Sequence, residues 1–154
     1  MKILVVSDSH GSIQGIRDAV FLEQPDYLIH LGDYCGDLNE IRTENPMLPM
    51  ISVRGNCDLY ETEQSIRIAE YCGVRILMTH GHLYGVKNGL LRLELAAKEK
   101  EAEVVLFGHT HQAYCEKSGG LWIMNPGSCG ASIIVSYGIV EIKNQAVICS
   151  VKRL

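Results

Sequence analysis

The first half of the chain alternates short apolar runs with stretches of helical periodicity. Residues 2–7 form a continuous run rich in valine and isoleucine, which is typical of a buried strand. Over residues 12–23, apolar side chains recur at the spacing of one helix face until Pro25 ends the pattern. Two further strands are predicted at 26–31 and 50–54, with a short helix between them at 37–43. Strands that alternate with helices in this way are typical of a parallel sheet.

Strands predominate in the second half. A hairpin is predicted over 65–79 with its turn at Cys72 and Gly73, and a helix at 90–100 precedes a buried strand at 103–107. Two more hairpins are predicted. The first has strands at 113–117 and 121–124, and the second has strands at 131–142 and 146–152. A parallel half followed by an antiparallel half favours an α/β (α+β) fold, in which two facing mixed sheets lie between outer helices. The 154 residues predict one domain spanning 1–154.

Composition narrows the classes of function. The formal net charge is −4 without a cluster of lysine and arginine, which argues against a protein that holds long nucleic acid. The apolar run near the start is too short for a signal peptide, and no run approaches a membrane span. The six cysteines show no CxxC or zinc-ribbon spacing. We therefore expect a cytoplasmic protein that contacts no membrane, with reduced thiols that mostly belong to the core.

Residue types that bind metals follow five of the predicted strands, and most have a glycine beside them. They are Asp8, His10, Asp33, Asn56, His80, His109 and His111. One such residue is usually a turn former, but five strand ends in the same topological position predict a ligand site, since open α/β sheets bind ligands beyond the carboxyl ends of their strands. Four imidazoles, two carboxylates and an amide carbonyl exceed the needs of one first-row metal, whereas two metals that share Asp33 would use them all.

The order of these residues resembles the calcineurin-like metallophosphoesterase family, and in particular its small bacterial and archaeal phosphodiesterase branch. The motifs that carry the resemblance are Asp8-x-His10, Gly32-Asp33, Gly55-Asn56, His80 and Gly108-His109-Thr110-His111, and it continues through Asn125 to Ser128. The resemblance implies a four-layer sandwich of two sheets between helices. It also implies hydrolysis of small phosphodiesters by a hydroxide that bridges two divalent metal ions.

By the same resemblance, Asp8, His10 and His111 hold one metal, Asn56, His80 and His109 hold the second, and Asp33 bridges them. An imidazole-rich set without a thiolate favours manganese, with iron, nickel or zinc as alternatives, over calcium or magnesium. Asn56, His80 and His82 are the candidate catalytic residues. His82 is expected to face either the substrate or a carboxylate behind the site.

Three further positions near the motifs lead to separate expectations. Many family members have a histidine where this chain has Cys57, and a thiol is a poor proton donor to a leaving group. The phosphodiesterase branch shares this cysteine, and Asp58, which would orient such a histidine, has no obvious partner. His30 lies inside a strand and is expected to be a hydrogen-bonded core residue. The loop with Asn125 and Ser128 either forms only a turn or lies near the site.

The alternative to an enzyme is a protein-binding scaffold. The retromer subunit of this fold resembles these enzymes but has a degraded set of metal ligands, whereas all seven positions are filled here. A metallo-β-lactamase-type hydrolase is disfavoured because the HxHxDH motif is missing. The expected partner is a small phosphodiester substrate. A homo-oligomer is a further expectation, with Tyr60, Trp122 and the C-terminal strands as a candidate interface.

Overall fold

The computed structural model describes residues 1–130 and 132–154, and these residues form ten strands and three α-helices. The strands are β1 (Lys2–Val6), β2 (Tyr27–His30), β3 (Met50–Ser52), β4 (Ile66–Tyr71), β5 (Val74–Thr79), β6 (Val104–Leu106), β7 (Tyr114–Ser118), β8 (Leu121–Asn125), β9 (Ser136–Lys143) and β10 (Ala146–Arg153). The helices are α1 (Gln14–Glu23), α2 (Leu38–Glu44) and α3 (Leu91–Glu99). Short 3₁₀ turns lie at Cys35–Asp37, His82–Tyr84 and Val86–Asn88.

The strands form two five-stranded mixed sheets. The first has the order β10-β9-β1-β2-β3, in which β1, β2 and β3 are parallel and the hairpin β9–β10 pairs antiparallel to β1. The second has the order β4-β5-β6-β8-β7, with β5, β6 and β8 parallel between two antiparallel edge strands. The prediction of two mixed sheets is confirmed, although the parallel strands do not all belong to the first half of the chain.

Strand β1 shows why its apolar run is continuous. Ile3 and Val5 point into the cluster between the two sheets, whereas Leu4 and Val6 pack under α1 and α2 on the outer face. A strand with both faces covered needs apolar residues at every position. Helix α3 covers the outer face of the second sheet through Leu93 and Ala97. The layers are therefore helix, sheet, sheet and helix, as predicted.

One strand begins later than predicted. Strand β9 starts at Ser136, so residues 132–135 precede it, and Ala131 lies outside the described residues. The preceding loop crosses the end of β1, where the N–H of Cys129 donates to the carbonyl of Ser7 (3.0 Å). The N–H of Ser136 in turn donates to the carbonyl of Ser128 (3.0 Å). These contacts hold the loop against the end of β1 up to the first residue of β9.

The cysteines and Trp122 differ from expectation. Only three cysteines are buried, while Cys115 is partly buried and Cys57 and Cys72 are exposed, because the last two lie in turns. Trp122 packs against the cluster between the sheets, and its Nε1–H donates to the carbonyl of Val147 (3.0 Å). Trp122 therefore contributes to the contact between the sheets. Tyr60, the other aromatic residue of the candidate interface, is almost fully exposed. Within the described ranges no helix is long and apolar enough to cross a membrane.

Candidate metal centre

All seven predicted ligands lie beyond the carboxyl ends of five strands. Strands β1, β2 and β3 of the first sheet lead to Asp8 and His10, to Asp33 and to Asn56, respectively. Strands β5 and β6 of the second sheet lead to His80 and to the pair His109 and His111. The site therefore lies where the ends of the two sheets meet.

One half of the site is built around Asp8, whose side chain is fully buried. Its Oδ1 lies 3.1 Å from Nε2 of His111, and this Nε2 lies 3.3 Å from Nε2 of His10. The ligand atoms of these three residues lie within 4.8 Å of one another. A carboxylate oxygen and two imidazole nitrogens at this spacing have the geometry of a divalent-cation site.

The other half is built around His80, which is also fully buried. Its Nδ1 is the donor to the carbonyl of Leu31 (2.8 Å), so Nε2 is the nitrogen that faces the site. This Nε2 lies 3.1 Å from Oδ1 of Asn56. The ring of His109 lies 5.0 Å from that of His80, and its backbone N–H donates to Oδ2 of Asp8 (3.1 Å).

Asp33 lies between the two halves. Its Oδ2 is 3.9 Å from Nε2 of His10, and its Oδ1 is 3.4 Å from Nε2 of His80. Burial favours the neutral form of this carboxyl, but hydrogen bonds from His80 and from the backbone N–H of Cys57 outweigh it and hold the pKa of Asp33 well below its usual value. Burial lowers the pKa of His80, but the carboxylates of Asp33 and Asp8 raise it by more, so the net shift is upward. The centre is therefore a set of closely coupled charges.

The residues fit divalent cations. Oδ1 of Asp8 is buried and forms no hydrogen bond within the part of the chain that the structure describes. A buried carboxylate oxygen without a hydrogen-bond donor is costly, and a cation would satisfy it. With Asp33, two buried carboxylates converge on imidazole nitrogens, which is the donor chemistry of manganese, iron or zinc.

The backbone at this site adopts an uncommon conformation. Five ligand positions have positive φ angles: Asp8 (56°), His10 (47°), Asp33 (59°), His109 (69°) and His111 (57°). This left-handed region costs a non-glycine residue about 1–2 kcal/mol, and such residues concentrate at functional sites. The neighbouring glycines allow close packing, since a Cβ at Gly55 would overlap Oδ1 of Asp33 and one at Gly108 would overlap Oγ of Ser7.

Asp58 has partners that the sequence did not reveal. Its carboxylate accepts backbone N–H groups from Asp33 (2.8 Å), Tyr34 (2.7 Å), Cys35 (2.9 Å) and Gly55 (2.8 Å). Burial raises its pKa, but these N–H groups outweigh burial and the net shift is downward. The expectation that Asp58 lacks a partner is wrong, because backbone N–H groups donate to its carboxylate where a histidine side chain was expected. It ties the loop after β2 to the loop after β3.

Cys57 also differs from expectation. Its sulfur and ligand atoms of His10 and Asp33 lie within 4.8 Å of one another, so a thiol borders the nitrogen and oxygen ligands. Partial burial, and next the nearby Asp33 carboxylate, raises the pKa of this thiol to about 11. The sequence placed Cys57 near the leaving group only, whereas the structure places it beside the ligands themselves.

His82 lies at the edge of the histidine group. Its ring centroid is 5.4 Å from that of His80 and 6.1 Å from that of His109. Burial, followed by the charge of His80, lowers its pKa. Its Nδ1 forms no hydrogen bond with any described residue, so a bond to a carboxylate behind the site is not formed. The role of His82 toward substrate stays a prediction.

The remaining candidates support the site from behind. His30 is fully buried, with Nε2 3.0 Å from Oγ of Ser9, and burial lowers its pKa to about 4, which confirms a core histidine. Nδ2 of Asn125 donates to the carbonyl of Gly108 (2.9 Å), and Oγ of Ser128 donates to that of Asp8 (2.8 Å). The loop with Asn125 and Ser128 therefore braces the two ligand loops.

Comparisons with known proteins agree with this geometry. Residues 1–145 match the family model described as the calcineurin-like phosphoesterase superfamily domain. The probable metallophosphoesterase YsnB of Bacillus subtilis is 35% identical over 95% of this chain and 87% of its own length. Phosphodiesterase MJ0936 of Methanocaldococcus jannaschii is 32% identical over 94% of this chain and 95% of its own. The structure of Vps29 from Entamoeba histolytica in complex with Zn²⁺ superposes over 99% of this chain and 99% of its own, with a TM-score of 0.79. At 19% sequence identity this similarity shows a shared fold.

Proposed function

Because the chain belongs to the calcineurin-like phosphoesterase superfamily, we propose that it is a phosphodiesterase that hydrolyses small phosphodiesters with two divalent cations. The observation that carries this proposal is the position of Asp33, whose two oxygens face His10 on one side and His80 on the other. The names of the relatives support the class of reaction, since one is called a phosphodiesterase and another a probable metallophosphoesterase.

In this proposal each residue of the centre has a defined role. Asp33 would be the ligand common to two cations, of which manganese is the favoured ion. The residues that would hold one cation are Asp8, His10 and His111, and those that would hold the other are Asn56, His80 and His109. When bound, the two cations supply an activated water and neutralise charge on the phosphate.

The chain's own residues orient the reacting groups. The carbonyl of Leu31 fixes the ring of His80, so that its Nε2 stays directed into the site. Asn56 is exposed in the bend after β3, and its amide oxygen is 3.1 Å from that nitrogen. The ring of His82 forms a triangle with those of His80 and His109, and in this proposal it faces an ester oxygen of the substrate.

The test combines metal analysis with an activity panel. Purified protein is stripped with chelator, reloaded with Mn²⁺, Zn²⁺ or Fe²⁺, and assayed on bis-p-nitrophenyl phosphate and on p-nitrophenyl phosphate. We expect about two metal ions per chain when loaded, loss of diester hydrolysis on stripping, and recovery with Mn²⁺. Protein that binds two ions and hydrolyses no ester in the panel would contradict the proposal.

A scaffold is the second candidate, because the fold is shared with Vps29 over 99% of this chain. The filled set of ligand-type residues favours the enzyme, since a scaffold has no need of a buried Asp8 oxygen without a hydrogen bond in the described structure. A cytoplasmic location, a single domain over 1–154 and a homo-oligomer stay predictions.

A further inference from the structure

A cleft opens directly beside the candidate metal centre. It has a volume of about 170 Å³ and is lined by the 3₁₀ turn after β2 and the loop after β3. Cys57 belongs to both places, since it lines the cleft while its sulfur lies within 4.8 Å of ligand atoms of His10 and Asp33. Tyr34 also lines the cleft, and its ring meets that of His10 edge-on at 5.4 Å. A phosphate at the centre would therefore direct one of its ester groups toward this cleft.

The cleft offers apolar and aromatic surface. Tyr34, Leu59 and Tyr60 are exposed by 48%, 76% and 97% of their surface, and all three line the cleft. Isolated exposed apolar residues are normal on a protein, but three beside a candidate reaction centre mark a binding surface. Tyrosine rings present flat faces on which a planar group stacks at little entropic cost.

The charges around the cleft exclude an anionic occupant. Its lining includes the carboxylates of Asp37, Asp58 and Glu61, and no lysine or arginine. Asp58 is occupied by backbone N–H groups, and Asp37 accepts the hydroxyl of Ser9 (2.6 Å). A second phosphate placed here would meet carboxylates without a lysine or arginine of the lining to offset them. The small volume, below the ~300–1,000 Å³ of pockets for drug-sized ligands, suits a single ring system.

We infer that this cleft is a subsite for one planar, uncharged group of the phosphodiester, such as an aryl ring or a nucleobase. The inference rests on the proposed function, because the phosphate must bind at the metal centre for its ester group to reach the cleft. The ring of this group packs against Tyr60 and Leu59, and Tyr34 forms the side nearest to His10. Diesters that carry such a ring are thereby preferred over dialkyl diesters.

The test compares two phosphonates that differ only in this group. Dissociation constants of phenylphosphonate and methylphosphonate are measured by calorimetry on the Mn²⁺-loaded protein, so that no turnover is involved. We expect phenylphosphonate to bind about 3- to 10-fold more tightly, as one aromatic contact provides. Tyr60→Ala should reduce this preference to about 1- to 2-fold, while Tyr60→Phe, which keeps the ring, should retain it.

A matched control lies at the opposite end of the molecule. Phe21 is an exposed aromatic residue on α1, and the end of that helix contacts the beginning of β1 through Glu23 and Lys2. Phe21→Ala should leave the preference unchanged. Equal affinities in the unchanged protein, or a preference that survives Tyr60→Ala, would overturn the subsite alone. Failure of both phosphonates to bind the Mn²⁺-loaded protein would overturn the proposed function, and the subsite with it.

Discussion

Replacing Asp33 tests whether the two metal ions share one ligand or occupy two independent sites. Its carboxylate oxygens lie 3.9 Å from His10 and 3.4 Å from His80, so it reaches both halves of the centre. We expect Asp33→Ala to lose both metal ions and the activity together. Elemental analysis after gel filtration measures the loss.

His82→Ala is the matched control for Asp33→Ala. His82 borders His80 at 5.4 Å between ring centroids but lies outside the groups of close ligand atoms. We expect this variant to keep its metal content and to lose diesterase activity by about 10²-fold, the lower end of the range for a positioned acid or base. Two tightly bound ions in the Asp33→Ala protein would show that another carboxylate bridges them.

We expect position 57 to influence the choice between diesters and monoesters. A thiol supplies little protonation to a poor leaving group, whereas an imidazole at this position typically adds ~10²–10⁴-fold. We expect Cys57→His to flatten the dependence of kcat/KM on leaving-group pKa across aryl phosphate esters and to raise monoester activity relative to diester activity. The gain should be about 10²-fold, at the low end, because Asp58 is held by backbone N–H groups and cannot orient the new ring.

Cys57→Ser is the control for this substitution, since a hydroxyl keeps the size of the thiol without adding an imidazole. Its dependence on leaving-group pKa should match that of the unchanged protein. Equal slopes for Cys57→His and the unchanged protein would show that position 57 does not face the leaving group.

Among the elements, the loops after β2 and β3 depend on one buried carboxylate. Asp58 accepts four backbone N–H groups, from Asp33, Tyr34, Cys35 and Gly55. Asp58→Asn replaces one oxygen of this carboxylate by an N–H donor, which faces donors of the same kind. We expect the free energy of unfolding to fall by about 2–4 kcal/mol, the range for a broken buried network with a charged acceptor.

The contribution of Asp58 depends on pH in a defined direction. Its pKa is lower in the folded protein than in the unfolded chain, so its stabilising effect is fully present above the unfolded value of about 3.9 and is lost as pH falls through the folded value. Urea denaturation between pH 3 and 7 should show the gap between the two proteins narrowing below about pH 4. Asp18→Asn, an exposed aspartate on α1, is the control. A gap that is constant with pH would contradict this assignment.

The sequence predicted the elements that carry one strong pattern and missed what depends on contacts across the fold. The buried strands and their polar ends were readable because covered strands leave continuous apolar runs that stop at the ligand residues. The start of β9 could not be predicted from the sequence, because the contact of Cys129 with Ser7 joins residues far apart in the chain. The role of Asp58 escaped for a similar reason, because backbone amides are present at every position and leave no signal.

The whole molecule should respond to metal through its stability. Asp8 and Asp33 are buried carboxylates in one site, and their mutual repulsion is relieved when cations bind. Mn²⁺ at about 100 times its Kd adds ~2.7 kcal/mol, which corresponds to a rise of about 5–10 °C in Tm for a chain of this length. Thermal unfolding with and without Mn²⁺ measures the shift. Asp33→Ala should show little of it, and an equal shift in that variant would place the stabilising ions elsewhere.

The positive φ angles at five ligand positions bear on how such a protein would diverge once its activity were no longer selected. Glycine, and to a lesser degree asparagine, adopts this backbone region readily, so substitutions to these residues relax the chain while they remove a ligand. Drift would then favour glycine and asparagine over alanine at positions 8, 10, 33, 109 and 111. The descendants would be more stable than the parent, and their sequences would retain a mark of the abandoned site in the residues that replaced it.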